Sequence, residues 1–283
     1  MKKLIVTADD YGMSLAVNKA IIEGIQSGLI TTTNVMTNMD FLDDRQELIA
    51  LKGKASIGLH WNISIGKPLS PKDKVSSLVD SETGEFFGYA KFCEKYKAGQ
   101  IKNEEIITEL KAQYNKFVEL FGFEPDYWNT HQNTHVALKI YDVFLNLASE
   151  LKIFKMRNHQ RIYVDARSGV SLSLKWRLLE PVKRCIINKW QKNASKKGMK
   201  YPEGIIVSLN ETDRSDMEYT FSNIRWGKNE VGEFVIHPAT ECDSPYFGKI
   251  IEKRIEEYKQ FTSDSTKEVI RKNNIELVSF SEI

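Results

Sequence analysis

"KLIVTADDYGMSLAVNKAIIEGIQSGLITTTNV", residues 3–35, decides how the chain is read. "KLIVTAD" is a short apolar run and reads as a β-strand. Leu15, Val17, Ile21, Ile22 and Ile25 then recur at helical spacing, with Ser14 placed to cap the helix and Gly28 to stop it. "ITTTNVMTN" is rich in β-branched residues and reads as a second strand. Two adjacent carboxylates, Asp9 and Asp10, stand at the first strand's end, with a glycine close behind. Neighbouring carboxylates repel each other and are costly to desolvate. A solvated turn, a helix cap or a metal ion would each account for the pair.

The alternation continues outward. "DDRQELIALKG" reads as a second helix, "ASIGLHWNI" as a third strand, and residues 103–121 as a long amphipathic helix with Ile106, Leu110, Tyr114, Phe117 and Val118 on its apolar face. "DYWNTHQNTH" reads as a strand and loop, "KIYDVFLNLASEL" as a helix, and "FKMRNH", "GEFVIHPA" and "IELVSFSEI" as strands. Repeated strand–helix–strand units imply a parallel sheet covered by helices. With no dinucleotide glycine fingerprint in 283 residues, an α/β fold of the (β/α) barrel kind is expected rather than an open sheet. One domain over 1–283 is expected, with insertions near 66–103 and 166–230. In such barrels the active site gathers at the C-terminal ends of the strands.

Composition narrows the class. Hydrophobic residues make up 41% and charged residues 28%, with a net charge of +2, which does not call for nucleic acid or an acidic membrane surface. Cys93, Cys185 and Cys242 are far apart and odd in number, which argues against a disulfide framework and a zinc–thiolate site. The apolar run after Lys2 and Lys3 is too short for a signal peptide, and no stretch reaches the roughly 20 apolar residues of a membrane span. A cytoplasmic location and a homodimer are the expectations. From Lys175 to Lys200 there are nine Lys/Arg and one acidic residue. A solvated face of amphipathic helices, packing Trp176, Leu178, Leu179, Ile186 and Trp190 inward, explains this without a nucleic-acid partner.

The strand ends hold the chemistry. His60 ends the third strand, His131 and His135 follow the fourth, and His237 ends a late one; His159 alone stands outside this pattern. Each residue has a plain reading, as a turn aspartate or a hydrogen-bonded histidine. "HQNTH" has the spacing of a zinc-protease helix but carries Gln132 where that motif needs glutamate. Taken together, an aspartate and two histidines around a divalent cation leave positions open for water and substrate. A second carboxylate beside them can take a proton from water, and a further histidine can protonate a leaving group. That set suits hydrolysis of an amide or ester. Adjacent aspartates cannot straddle a sugar as a glycosidase pair does, at about 5 to 10 Å.

Four blocks in order resemble the YdjC-type carbohydrate deacetylases: "VTADDYGMS", "IGLHWNISIGKPLS", "FEPDYWNTHQNTH" and "VIHPA". The helix "ITELKAQYNKFVELFG" is similar to that family's E-L-x-x-Q helix. The resemblance implies a distorted (β/α) barrel of mostly parallel strands, related to polysaccharide deacetylases. It also implies removal of acetyl groups from N-acetylated sugars, such as acetylated chitobiose, with one divalent metal. The family's usual ion is magnesium; an Asp/His/His set also suits zinc. By motif, Asp10, His60 and His131 would hold the metal, Asp9 would be the general base and His237 the acid. Two positions depart from the family pattern: Asn129 stands where the family has aspartate, and Asn133 where it has histidine. A non-sugar amidohydrolase or esterase, and a sugar-binding homologue with weakened catalysis, are the alternatives.

Overall fold

The structure is a computed structural model that describes residues 1–136, 140–167, 174–209, 214–248 and 250–283, with the backbone alone for 174–178. Among the described residues eight strands form one sheet: β1 (Lys2–Tyr11), β2 (Thr32–Val35), β3 (Ser56–Trp61), β4 (Trp128–Thr130), β5 (Arg161–Tyr163), β6 (Gly204–Val207), β7 (Val231–Ile236) and β8 (Ile275–Leu277). Their order is β4-β3-β2-β1-β7-β6-β5, with β8 also paired to β1. Every strand pair is parallel. The sheet curls into a half-barrel, and among the described residues its edges approach through a single parallel bridge between Trp128 and Met156. The expected α/β barrel is therefore present in an open, distorted form.

The helices lie where apolar spacing and caps put them. α1 (Leu15–Gln26) starts at Ser14, whose hydroxyl accepts from the Val17 amide. α2 (Arg45–Ala50), α3 (Tyr89–Lys97) and α4 (Asn103–Phe121) follow, and α4 ends at Gly122 in the left-handed conformation that glycine adopts without strain. Ile106, Leu110 and Phe117 on α4 are fully buried. The same helix holds the loop beyond β3: Gln113 donates to the Asn62 carbonyl at 2.6 Å and accepts from the Asn62 amide at 2.9 Å, while Glu109 accepts from the amides of Leu69 and Ser70. α5 (Tyr141–Glu150), α6 (Leu174–Lys196), α7 (Met217–Ser222), α8 (Ile251–Gln260) and α9 (Asp264–Lys272) follow along the described residues.

Three elements differ from the sequence-based expectation. "FKMRNH" forms only isolated bridges at Lys155 and Met156, and the strand begins later, at Arg161. The stretch 166–230 contributes β6 to the sheet, paired with β5 and β7. Residues 275–283 make a three-residue strand and then a short 3₁₀ turn rather than one strand. The side chains of Trp176 and Leu178 lie outside the described residues. Leu179 is exposed, while Ile186 and Trp190 are half-buried. No described helix is long and apolar enough to cross a membrane.

Candidate active site

The opening pair of carboxylates sits at a fault in β1. On a regular strand, neighbouring side chains point to opposite faces. Here the β1–β2 register shifts between Ala8 and Tyr11, and Asp10 adopts φ +79°, rare for a residue other than glycine. The irregularity turns both carboxylates into one cleft. Gly12, at φ +98°, completes the turn; a Cβ there would stand 2.8 Å from Leu42.

The cleft has a volume of about 500 Å³ and is lined by Asp9, Asp10, His60, His131, His237 and Arg157, among others. Register explains the gathering. His60 pairs with Asn129 across β3 and β4, and Ala8 pairs with Ile236 across β1 and β7, so Asp9 and His237 emerge side by side. The five residues singled out in the sequence thus share one cleft.

Each carboxylate has its own guanidinium. Arg157 grips Asp9 with both arms, Nη1 to Oδ2 at 2.7 Å and Nη2 to Oδ1 at 2.8 Å. Asn34 donates to Asp9 Oδ1 at 2.6 Å, and Asn129 donates to it at 3.3 Å. Burial pushes the Asp9 pKa up, but Arg157 overrides it and holds the carboxyl well below its ordinary range. Arg254 donates to Asp10 Oδ2 at 2.7 Å. At Asp10, too, burial acts upward and is outweighed, chiefly by Arg254 and His131. The repulsion between adjacent aspartates is thus offset by two cations from distant parts of the chain.

The other oxygen of Asp10 faces two histidines. Oδ1 lies 3.0 Å from His131 Nδ1 and 3.3 Å from His60 Nε2. Donor atoms of Asp10, His60 and His131 all fall within 4.8 Å of one another, and all three residues are buried. Ligands bound at about 2.0–2.2 Å around one cation sit roughly 3 to 3.5 Å apart, so the spacing and the donor types fit a divalent ion. His237 Nε2 lies 3.8 Å from Asp9 Oδ2. Burial lowers the pKa of His237, against the opposing pull of Asp10 and Asp9.

A further layer holds these groups. Arg157 Nε donates to Glu233 Oε1 at 3.0 Å. Asn34 also donates to the Tyr127 hydroxyl at 2.9 Å, and Tyr127 packs against the backbone of Gly58, where any Cβ would collide with its ring at 2.2 Å. Trp61 and Trp128, whose rings could have stacked on a sugar, are fully buried and pack on each other at 5.3 Å. His135 turns away from the cleft into Trp128 and Tyr141; its Nε2 is 2.8 Å from His159 Nε2 and its Nδ1 is 2.7 Å from Thr130 Oγ1. His159, set apart in the sequence, is thus tied through His135 and Thr130 to the strand that leads into His131.

Sequence reasoning missed Arg157, Arg254, Asn34 and Glu233. The arginines lie 148 and 244 residues from the aspartates they grip, so no local motif marks them. Glu233 left a trace: it is an acid inside the apolar strand "GEFVI" and is fully buried.

A curled parallel half-barrel with an aspartate–histidine cluster at its strand ends defines a class of α/β proteins with a candidate cation site at the mouth of the sheet. The YdjC-like protein family model matches residues 3–272, and the chain belongs to that family. It is 36% identical over 151 residues to a carbohydrate deacetylase of Clostridium beijerinckii, covering 53% of this chain and 58% of that one. It is 31% identical over 167 residues to a chitooligosaccharide deacetylase of Klebsiella pneumoniae, covering 59% and 62% respectively. The matched stretches thus span less than two thirds of these relatives. A crystal structure from Enterococcus faecalis V583, designated a cellobiose-phosphate cleavage protein, superposes with a TM-score of 0.74 at 25% identity, covering 99% of this chain and 98% of that one.

Proposed function

We propose that the protein is a metal-dependent deacetylase that removes acetyl groups from N-acetylated sugars, with short oligosaccharides such as acetylated chitobiose as substrates. The observation that carries this reading is the division of the two aspartates. Asp10 Oδ1 joins His60 and His131, while Asp9 is held apart by Arg157 at the same cleft. A divalent cation held by Asp10, His60 and His131 would supply a Lewis acid for the acetyl carbonyl and a water of lowered pKa. One carboxylate and two imidazoles suit zinc or a similar transition ion better than magnesium.

The chain's own groups supply the rest. Asp9 Oδ1 already accepts from Arg157, Asn34 and Asn129, whereas Oδ2 takes one arm of Arg157 and faces His237. Oδ2 is therefore the oxygen that can accept the proton of the attacking water. His237, beside it, delivers a proton to the sugar nitrogen as the C–N bond breaks, so acetate and a free amine result. Relatives of this family named as carbohydrate and chitooligosaccharide deacetylases support the substrate class.

The test is acetate release from N,N′-diacetylchitobiose before and after chelation. Activity that disappears with the metal and returns with added zinc or cobalt is expected. Release unaffected by complete metal removal would reject the reading.

A further inference from the structure

We infer that Asn129 is a positioning residue that couples the candidate base to the metal site by fixing which ring nitrogen of His60 is bare. This rests on the proposed roles of Asp9, Asp10, His60 and His131.

The side chain of Asn129 is fully buried and touches both groups. Its Nδ2 lies 3.3 Å from Asp9 Oδ1, and its Oδ1 lies 2.6 Å from His60 Nδ1. A carboxylate that takes both arms of Arg157 offers only acceptors, so the amide must turn its NH₂ toward Asp9. Its carbonyl oxygen is then forced toward His60. An oxygen at 2.6 Å demands a donor, so His60 carries its proton on Nδ1. The Nε2 lone pair of a neutral ring is then free, and it faces Asp10 Oδ1 at 3.3 Å, toward the cation position.

The amide does two jobs that no single carboxylate does. Aspartate at 129 would still accept from His60 Nδ1, but its second oxygen would face the Asp9 carboxylate with no proton to share. Leucine, of similar size, would do neither. Loss of such an outer hydrogen bond to a ligating histidine typically costs 10–100-fold in metal affinity.

Zn²⁺ affinity of the full chain, measured by chelator competition, separates the cases. Asn129→Leu is expected to bind Zn²⁺ about 10–100-fold more weakly than the unaltered protein, and Asn129→Asp to stay within a few-fold. Equal affinity in a folded Asn129→Leu protein would overturn the proposal. Nitrogen-15 NMR of the His60 ring in the unaltered protein, assigned with His60→Gln, decides it without relying on either variant. A proton on Nδ1 is expected, and an Nδ1 without a proton would overturn it. If the unaltered protein bound no Zn²⁺ at all, the metal-site reading would fail, while the His60 proton would still decide the role of Asn129.

Discussion

The two halves of the molecule contribute opposite charges to one cleft. The N-terminal half, β1 to β4, brings Asp9, Asp10, His60, Asn129 and His131 on short stretches next to strand ends. The C-terminal half brings His237 together with Arg157 and Arg254, the guanidiniums that neutralise the two aspartates. The first half thus holds the groups that would bind a cation, and the second holds the cations that let buried acids stay ionised. A carboxylate pair of this kind is stable only when the whole sheet has folded around it.

Removing the second half's charge should break this balance most. Arg157→Leu takes the guanidinium away from both Asp9 and Glu233, leaving two buried acids without their neutralising cation. A loss of about 3–5 kcal/mol of stability is expected, read by denaturant unfolding. Arg254→Leu takes the guanidinium from Asp10 alone, which keeps its contacts with His131 and His60, and should cost less. Added Zn²⁺ should recover more of the lost melting temperature in Arg254→Leu than in Arg157→Leu, because a cation beside Asp10 replaces the missing charge only there. Equal recovery would mean that the two arginines do not serve separate aspartates.

The next effect concerns catalysis at the seam between the halves. His237→Gln keeps the size of the side chain but removes a titratable nitrogen 3.8 Å from Asp9. It should lower kcat for acetate release by about 10²-fold or more while leaving Zn²⁺ affinity nearly unchanged. A variant that turned over normally would remove His237 from the reaction.

A smaller effect follows from the His135–His159 pair. Burial holds His135 well below its ordinary pKa and brings His159 down to about 3. A histidine whose pKa is lowered by folding stabilises fully above the unfolded value near 6.5. It loses that contribution as pH falls from there toward the folded pKa, because only the unfolded chain takes up the proton. Melting temperature should therefore drop between pH 7 and pH 5, and His159→Asn should flatten that drop. The smallest expected change is Ser14→Ala, which removes the hydroxyl that caps α1 and should cost about 1 kcal/mol.

The same division governs what could be read in advance. α4 stands over the span its apolar spacing marked, Asn103–Phe121, because nineteen residues give periodicity room to show. β1, β2 and β3 were legible from β-branched runs that end at punctuating residues. β5 has three residues, too few for any period, β8 was read but carried past its three residues into a 3₁₀ turn, and β6 follows the basic helix that masks it. The shared location of Asp9, Asp10, His60, His131 and His237 was legible because strand ends in a parallel sheet meet at one mouth. Arg157 and Arg254 were not, since their signal is a charge pair across more than a hundred residues. The bulge that turns Asp9 and Asp10 to the same side is a tertiary feature, carried by a left-handed residue that sequence does not announce.

Metal content of Asp9→Asn and Asp10→Asn, measured side by side with acetate release from N,N′-diacetylchitobiose, tests the division of labour most directly. Asp9→Asn should retain about one ion per chain and lose about 10²–10⁴-fold in turnover, while Asp10→Asn should lose the ion itself. An ion kept by Asp10→Asn and lost by Asp9→Asn would contradict the account.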